Sequence, residues 1–452
     1  MRSKKRIKLV FLCCFQLKKR EGCAGRKINW NFGSWDVLIF WRGQSIVDES
    51  QACIIFLQAT PRLILYSFEI IRLRNELRII YFITEDWYFW SHRLSLARAA
   101  QKAGFKVTII TRVDKYKDLI ENEGFNLISI GLVRSSKNLF SELLSFLEVL
   151  KIYRREKPDI VHHVALKPIL YGTWAARFSG VPCIVNLFAG VTTKFHADKW
   201  KSIILQGVVD QIFRFGFLGG KAYAIFQNSF DKQSFLTKGI LKEENTGLIS
   251  GSGIDVSRFV KTPEPDGTPL VILASRMLWD KGIGEFVEAA KILKREKIKC
   301  RMALVGNPDP ENPDPLPSTL IQKWQSERLV EWWGNREDMP EVFSNANIIC
   351  LPSYHEGCPK VLIEAAACGR AIVATDIPGC REIVRHNENG LLVPVKNSTA
   401  LAEAISLLIR SPKIRTQMGD RGRKIVVEKF SEEKVIKKTL DVYNRLLQRT
   451  HT

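Results

Sequence analysis

The chain has 452 residues, of which 46% are apolar, and this is enough for the hydrophobic cores of two or three domains. Its formal net charge is +21. Most of that charge falls on residues 1–253, which carry 38 Lys and Arg against 21 Asp and Glu. A basic front half favours an anionic partner, such as a nucleic acid, a phospholipid surface or a diphosphate. Because no RNA- or DNA-binding motif accompanies the charge, we expect no nucleic-acid partner.

Ten cysteines are scattered along the chain without C-x-x-C pairs. This spacing excludes a disulfide framework and the usual zinc patterns. Several of the cysteines lie in apolar runs, as buried thiols do. The pattern indicates a reducing, cytoplasmic compartment.

Residues 1–76 carry no motif and are interpreted as an N-terminal extension. The uncharged run Leu9–Leu17 follows a basic start, as in a signal peptide, but Lys18–Arg20 interrupts the pattern. The apolar stretch 52–71 contains a proline and two charges, so it is a poor membrane span. We expect either a membrane-adhering segment or a stretch that is not translated.

A parallel α/β arrangement begins at Leu77. A strand at 77–84 is followed by an aromatic loop, a helix at 94–103 and a strand at 106–111. His92 and Arg93 follow the first strand, and a later predicted strand within 157–168 carries His162 and His163. Ligands gather at the carboxyl ends of such strands. Two alternatives stay open, namely a packed aromatic loop and a structural histidine with satisfied hydrogen bonds.

The segment 194–217 is basic and aromatic, and its apolar residues share one helical face. We assign the apolar stripe to the core and the flanking lysines to an anionic membrane surface.

A second α/β unit follows the turn-rich linker 263–269. Its first predicted strand, at 270–274, leads to Arg276 and Lys281. Two cations beyond a strand end, facing a helix N-terminus, can neutralise a diphosphate without a metal ion.

The stretch 347–364 carries the strongest chemical signal. An apolar strand leads through Glu356 and Gly357 to a helix near Pro359, with Glu364 inside that helix. Free N–H groups at a helix N-terminus bind phosphate, and two carboxylates can accept hydroxyl hydrogens, so the stretch predicts a nucleotide-sugar site. A simple helix cap with one solvated glutamate is the alternative. We expect Gly357 to be required by an unusual backbone angle or a close ligand approach. We expect the Lys360 side chain to face water, and the loss of Glu356 to change stability by no more than about 0.5 kcal/mol.

The segment 347–394 resembles the donor-binding signature of the retaining glycosyltransferases of family 4. Further motifs follow in the order of that family, so the resemblance extends over about 77–447. It implies a GT-B fold, with two Rossmann-like doubly wound parallel-sheet domains facing a cleft. The implied boundaries are 77–253 for the acceptor domain, 254–430 for the donor domain and 431–452 for a helix that returns to the first domain.

The resemblance also implies roles for particular residues. The catalytic candidates are Glu356, His163 and His162, although Val164 replaces the second histidine of the His-x-His pattern that many members of the family carry. The acceptor-side candidates are His92 and Arg93. The donor-binding candidates are Arg276, Lys281, Asn335, Gly357, Cys358, Pro359, Lys360, Val361 and Glu364.

The implied reaction transfers an N-acetylhexosamine or a hexose from a UDP-sugar to a lipid-diphosphate-linked glycan, with retention of configuration. The enzyme would act in capsule or O-antigen synthesis without a metal or other cofactor, at the inner face of the cell membrane. The alternatives are a non-hydrolysing nucleotide-sugar epimerase of the same fold and a nonenzymatic GT-B-like binding module.

Overall fold

The computed structural model describes residues 28–32, 35–39, 55–57, 76–132, 139–190, 200–312 and 314–451. The chain divides into two compact units, Met1–Arg72 and Leu73–Thr452. In the first unit, β1 (Ile28–Phe32), β2 (Trp35–Ile39) and β3 (Ile55–Leu57) form an antiparallel sheet. The signal-like run at Leu9–Leu17 lies outside the described residues.

The second unit begins with a parallel sheet of seven strands in the order β10-β9-β8-β7-β4-β5-β6. Its strands are β4 (Leu77–Glu85), β5 (Phe105–Arg112), β6 (Asn126–Ser129), β7 (Ile160–Val164), β8 (Cys183–Phe188), β9 (Ala222–Phe226) and β10 (Thr246–Leu248). The connecting helices are α1 (Asp86–His92), α2 (Leu94–Lys102), α3 (Lys117–Asn122), α4 (Leu139–Glu156), α5 (Leu166–Phe178), α6 (Trp200–Gly216) and α7 (Ser229–Thr237). The aromatic stretch that was predicted as a loop is the helix α1.

A second parallel sheet has six strands in the order β13-β12-β11-β14-β15-β16. Its strands are β11 (Leu270–Ala274), β12 (Arg301–Val305), β13 (Glu331–Trp332), β14 (Ile348–Leu351), β15 (Ala371–Thr375) and β16 (Gly390–Val393). Its helices are α8 (Ile283–Arg295), α9 (Ser318–Ser326), α10 (Met339–Ser344), α11 (Lys360–Ala367), α12 (Pro378–Arg381) and α13 (Ser398–Arg410).

Helices cover both faces of each sheet, and this explains the continuous apolar runs of the strands. The first sheet separates two hydrophobic cores, one containing Ile79 and Tyr81 and the other containing Ile80 and Phe82. The second sheet likewise separates two hydrophobic cores, one on each of its faces. We refer to the two sheets with their helices as the first and second α/β domains, and the predicted fold class is confirmed.

Two long helices close the chain, α14 (Pro412–Lys429) and α15 (Glu432–His451). The last one leaves the second domain and packs on the first. Its Tyr443 is fully buried in the core that contains Tyr81 and Phe105. Backbone hydrogen bonds from Ile254 to Phe430 and from Glu432 to Ile254 hold the crossing point.

The strand order also fixes where a ligand can bind. In each sheet the chain starts at a central strand, moves outward on one side and then returns to the other side of that strand. The order therefore reverses between β4 and β7 in the first domain and between β11 and β14 in the second. Ligands of doubly wound folds bind at the carboxyl ends of the strands that flank this switch point.

Candidate active site

A cavity of about 570 Å³ lies between the two domains, within the size range of small-molecule sites. Residues that follow β4 and β7 line one side, and residues that follow β11 and β14 line the other. Both switch points therefore open into the same cavity. The lining includes Trp87, Tyr88, Ser91, His92, Val164, Ala165, Gly190, Gln227, Ser252, Arg276, Asp280, Lys281, Glu356, Gly357, Cys358, Pro359, Lys360, Val361 and Glu364.

The turn from β14 into α11 supplies most of the second-domain side. The strand is fully buried, and α11 begins at Lys360 with Pro359 as its N-cap. No side chain caps the helix, so its first N–H groups stay available to an anion. The predicted strand, glycine turn and helix are thus present.

Gly357 is required by a close approach of the first domain. Its φ is not among the positive values of the chain, so the turn needs no unusual backbone angle. A Cβ at Gly357 would lie 2.6 Å from the Gly190 nitrogen, and a Cβ at Gly190 would lie 2.7 Å from the Gly357 nitrogen. Neither position has room for a side chain, because the two backbones touch across the cleft.

The loop residue Glu356 pairs with Lys281. Its Oε1 lies 2.6 Å from Lys281 Nζ, and the two side chains are 15% and 14% exposed. Lys281 ends a 3₁₀ turn that continues through Gly282 into α8. Gly282 has a φ of +70°, and a Cβ there would lie 2.1 Å from the Pro352 oxygen. This close approach fixes the backbone directly after Lys281. The burial of the ion pair shows that Glu356 is not the solvated glutamate of the alternative interpretation.

Arg276 has two partners, one from each domain. Its Nη1 lies 2.6 Å from Asp309 Oδ2, in the loop after β12. Its guanidinium carbon lies 6.0 Å from the centre of the Trp87 ring in α1, which is cation–π range. The Asp309 carboxylate thus pairs with the Arg276 guanidinium, the group that was predicted to bind a diphosphate.

Glu364 is a buried carboxyl in the second turn of α11. Lys360 Nζ lies 3.4 Å from its Oε1. Burial raises the pKa of Glu364 above its ordinary value, and the nearby Lys360 and Arg258 oppose that shift. An isolated buried carboxylate is costly, so Lys360 helps to keep this group ionised.

Lys360 does not face water as expected. Its Nζ donates a hydrogen bond of 2.7 Å to the Ser91 carbonyl in α1 of the first domain. The same ammonium therefore touches both sides of the cavity.

His92 forms part of the first-domain wall. Its ring stacks on Tyr88 with 4.2 Å between centroids and an interplanar angle of 5°, and its Nδ1 meets the Ser91 hydroxyl at 2.7 Å. Burial lowers the pKa of His92 well below its ordinary value, and the positive charges of Lys360 and Arg93 add to this. The imidazole is therefore neutral near pH 7 and serves as a hydrogen-bonding surface.

The structure corrects the assignment of His162 and His163 as catalytic candidates. Successive residues of a strand point to opposite faces, and helices cover both faces of β7. His162 meets the Tyr443 hydroxyl in one core, whereas His163 meets Tyr153 and Asn186 in the other. Burial lowers the pKa of His163 to about 4. Val164, at the strand end, lines the cavity instead.

Two further predicted residues lie outside the cavity lining. Arg93 is only 3% exposed, and among the described residues its Nε and Nη2 have no hydrogen-bond partner. Asn335 is exposed in the turn after β13. Cys358, Pro359 and Val361, which were predicted to bind the donor, line the cavity.

Several contacts between the domains could not be read from the sequence. Arg112, at the end of β5, pairs with Glu85 in its own domain and with Glu311 of the second domain. Glu382, of the second domain, accepts hydrogen bonds from Ser229 and Ser250 of the first. These partners are far apart in sequence, and no local pattern pairs them.

The described residues contain no cluster of three or more His, Cys, Asp or Glu arranged to hold a metal ion. The cations Arg276, Lys281 and Lys360 and the start of α11 are instead suited to an anionic ligand. Two buried or half-buried carboxylates, Glu356 and Glu364, are suited to hydroxyl groups. Together these groups are suited to a phosphorylated sugar compound.

Comparison with known families agrees with this class of site. Residues 78–227 match the family model described as glycosyl transferase 4-like, and residues 257–425 match glycosyl transferases group 1. The matches cover most of the first and second α/β domains. The chain belongs to these glycosyltransferases and is an enzyme of that family.

Individual relatives match most of the chain. An N,N'-diacetylbacillosaminyl-diphospho-undecaprenol alpha-1,3-N-acetylgalactosaminyltransferase of Campylobacter jejuni is 28% identical over 79% of this chain and 95% of its own length. A UDP-Gal:alpha-D-GlcNAc-diphosphoundecaprenol alpha-1,3-galactosyltransferase of Escherichia coli is 24% identical over 68% of this chain and 80% of its own. The crystal structure of Anabaena HepE with UDP and glucose shares the fold, with a TM-score of 0.65, 17% identity, and coverage of 82% of this chain and 100% of that one.

Proposed function

We propose that this glycosyltransferase moves a sugar from a UDP-sugar to a glycan carried on a lipid diphosphate, with retention of configuration. The observation that carries the proposal is the convergence of Arg276, Lys281, Glu356 and Glu364 on one cavity at both switch points. The names of the two relatives support the acceptor class, and both also give an alpha linkage.

The donor would lie against the second domain. Its diphosphate meets Arg276, Lys281 and the free N–H groups of α11, which stabilise the negative charge that develops as the sugar departs. The ribose hydroxyls donate to Glu364. Glu356, already beside Lys281, accepts hydrogen bonds from the sugar. Binding requires the diphosphate to replace Asp309 at Arg276.

The acceptor would enter along the first domain. Trp87, Tyr88 and His92 present aromatic faces on that side of the cavity, and aromatic faces suit the apolar sides of sugar rings. The alpha-linked product that the relatives' names describe corresponds to retention when the donor is an α-linked UDP-sugar.

A lipid-linked acceptor requires the enzyme to work at a membrane surface. No helix within the described residues is long and apolar enough to cross a membrane. For access to a lipid-linked acceptor we propose peripheral adhesion at the inner face of the membrane. Exposed apolar side chains of the first domain lie on α4, at the end of α5 and at the end of α6, and we call this surface the apolar rim. The apolar rim consists of Leu143, Leu144, Leu147, Phe178, Phe215 and Leu218.

The rim residues belong to neighbouring elements. Phe146 in α4 and Phe178 lie 6.3 Å apart between ring centroids, and Arg177 donates to the carbonyls of Gly216 and Leu218. Arg177 and Arg214 add cations to the rim. Phe213 and Phe217 are buried, whereas the side chains of residues 191–206 lie outside the described part of the chain.

The test is incubation with a panel of UDP-sugars and an acceptor, N-acetylglucosaminyl diphosphate on a short polyprenyl chain, in parallel with a membrane-lipid extract. We expect UDP release only when an acceptor is present, and an acceptor product heavier by one sugar residue. An epimerase of the same fold would change the UDP-sugar without any acceptor. Conversion of the donor alone would therefore contradict the proposal.

A further inference from the structure

Lys360 forms a direct polar contact between α11 and the first domain. Its Nζ donates to the Ser91 carbonyl at 2.7 Å and lies 3.4 Å from Glu364 Oε1. Its side chain is 27% exposed, so most of it is enclosed by the cavity walls. One ammonium thus connects the carboxylate assigned to the ribose with a backbone oxygen on the acceptor side.

The Ser91 carbonyl belongs to the last turn of α1, where carbonyl oxygens lack partners inside the helix. A cation at this end is favourable because the unpaired carbonyls carry partial negative charge. The same turn carries the Ser91 hydroxyl that meets His92, and His92 stacks on Tyr88. The Lys360 contact therefore fixes the turn that presents two aromatic rings to the cavity.

A second donor-site cation contacts the same helix. The Arg276 guanidinium carbon lies 6.0 Å from the Trp87 ring centre, and Trp87 also lines the cavity. Helix α1 is thus held from the second domain at Trp87 and at Ser91. Both contacts come from groups that we place beside the donor.

We infer that Lys360 is a positioning residue that couples donor binding to acceptor binding through α1. The inference rests on the proposed function. When the ribose hydroxyls donate to Glu364, the carboxylate is shared with the donor, and the Lys360 ammonium is left mainly to the Ser91 carbonyl. That contact holds α1 in the position that receives the acceptor. Coupling between two sites is reciprocal, so the acceptor must strengthen donor binding by the same factor.

The test is calorimetric binding of UDP, with and without N-acetylglucosaminyl diphosphate on a short polyprenyl chain, to the full chain. We expect the wild type to bind UDP at least about fivefold more tightly when the acceptor is present, within the usual range of such couplings. Lys360→Met should reduce this factor to below about twofold. Lys360→Arg should keep most of it, because a guanidinium still donates to a carbonyl.

The matched control is Lys323→Met. Lys323 also stands four residues before a glutamate, with Nζ 3.9 Å from the Oε1 of Glu327 at the C-cap of α9, but it lies exposed outside the cavity. This variant should show the wild-type coupling. In turnover, Lys360→Met should raise the acceptor KM at least about fivefold and change kcat less, with a melting temperature close to that of the wild type.

Unchanged coupling in folded Lys360→Met would overturn the inference. So would a wild-type UDP affinity that is the same with and without the acceptor. If Lys360→Met does not fold, Lys360→Ala takes its place as the variant without the ammonium, and unchanged coupling in folded Lys360→Ala would equally overturn the inference. Calorimetry measures binding alone, so it tests the inference even if no sugar is transferred. Absence of transfer by the wild type would count against the proposed function and not against the coupling.

Discussion

At the scale of single residues, the ion pair between Glu356 and Lys281 changes what a mutation at this position should do. Both side chains are mostly buried, so removal of the carboxylate leaves an ammonium without its charged partner. Such a loss costs about 1–3 kcal/mol or more, so we expect removal of Glu356 to destabilise the fold by more than the surface-like effect predicted from the sequence. Glu356→Gln is the more informative variant, since its amide oxygen can still accept from Lys281.

We expect Glu356→Gln to lower kcat about ten- to a hundredfold, because a hydrogen bond between a charged group and the reacting sugar contributes roughly 1.5–3 kcal/mol. The control is Glu288→Gln, which alters a Glu–Lys pair of 2.9 Å that is about half exposed on α8. Initial rates at saturating donor, together with melting temperatures, measure both effects. If Glu356→Gln turned over at the wild-type rate, this residue would not contact the sugar.

At the scale of elements, the loop after β12 brings Asp309 to Arg276 and Glu311 to Arg112. In the first of these pairs, Asp309 binds the guanidinium that we assign to the diphosphate. A donor must therefore compete with the Asp309 carboxylate. The side chains are 36% and 18% exposed, so the pair is a modest competitor, worth about 0.2–1 kcal/mol.

Asp309→Asn should therefore tighten UDP binding by up to about fivefold, which is the equivalent of about 1 kcal/mol. Calorimetric titration with UDP measures the change. Asp376→Asn is the matched control, because Asp376 forms an Asp–Arg pair with Arg381, also at 2.6 Å, that lies outside the cavity lining. Weaker or unchanged UDP binding by Asp309→Asn would argue that Arg276 does not hold the diphosphate.

The elements also show which parts of the site a sequence can predict. The path from β14 through Gly357 to α11 follows from local rules, since it consists of a buried apolar run, a glycine and a proline at a helix start. The placement of Glu356 and Glu364 at one cavity follows from the same stretch. The alternation of strand and helix likewise gave the two parallel sheets.

Other features depend on contacts between distant parts of the chain. His162 and Val164 point to the same face of β7, so their different roles depend on where the strand ends, with Val164 at its last position beside the cavity. The partner of Lys360 is a carbonyl 269 positions away, and that of Arg112 lies 199 positions away. Such pairs form only when the two domains meet, so local sequence patterns cannot predict them.

At the scale of the whole molecule, the basic front half and the apolar rim predict adhesion to anionic membranes. Each cation near such a surface contributes about 1 kcal/mol, and salt weakens the attraction. We expect sedimentation with vesicles to rise with their phosphatidylglycerol content and to fall with salt. Phe178→Ser combined with Phe215→Ser should reduce it.

Leu407→Ser is the control, because Leu407 is a similarly exposed apolar residue on α13 of the second domain. It should leave vesicle binding unchanged. If the sedimented fraction did not depend on phosphatidylglycerol content or on salt concentration, electrostatic binding to membranes would be contradicted.

The charge distribution of the cavity leads to a second prediction for the whole enzyme. Arg276, Lys281 and the N-terminus of α11 would neutralise the leaving diphosphate, so we expect turnover to persist in excess EDTA. Initial rates before and after chelation measure this. Loss of activity in EDTA that manganese or magnesium restores would mean that the diphosphate site is misassigned.

The most direct test of the account is the configuration of the product. The enzyme would be given an α-linked UDP-sugar labelled with ¹³C at the anomeric carbon and the polyprenyl-diphosphate acceptor, and the product would be examined by NMR. Retaining transfer predicts that the labelled carbon appears in a new glycosidic bond to the acceptor, in the α configuration. A β-linked product, or label found only in free sugar or an epimerised UDP-sugar, would contradict the account.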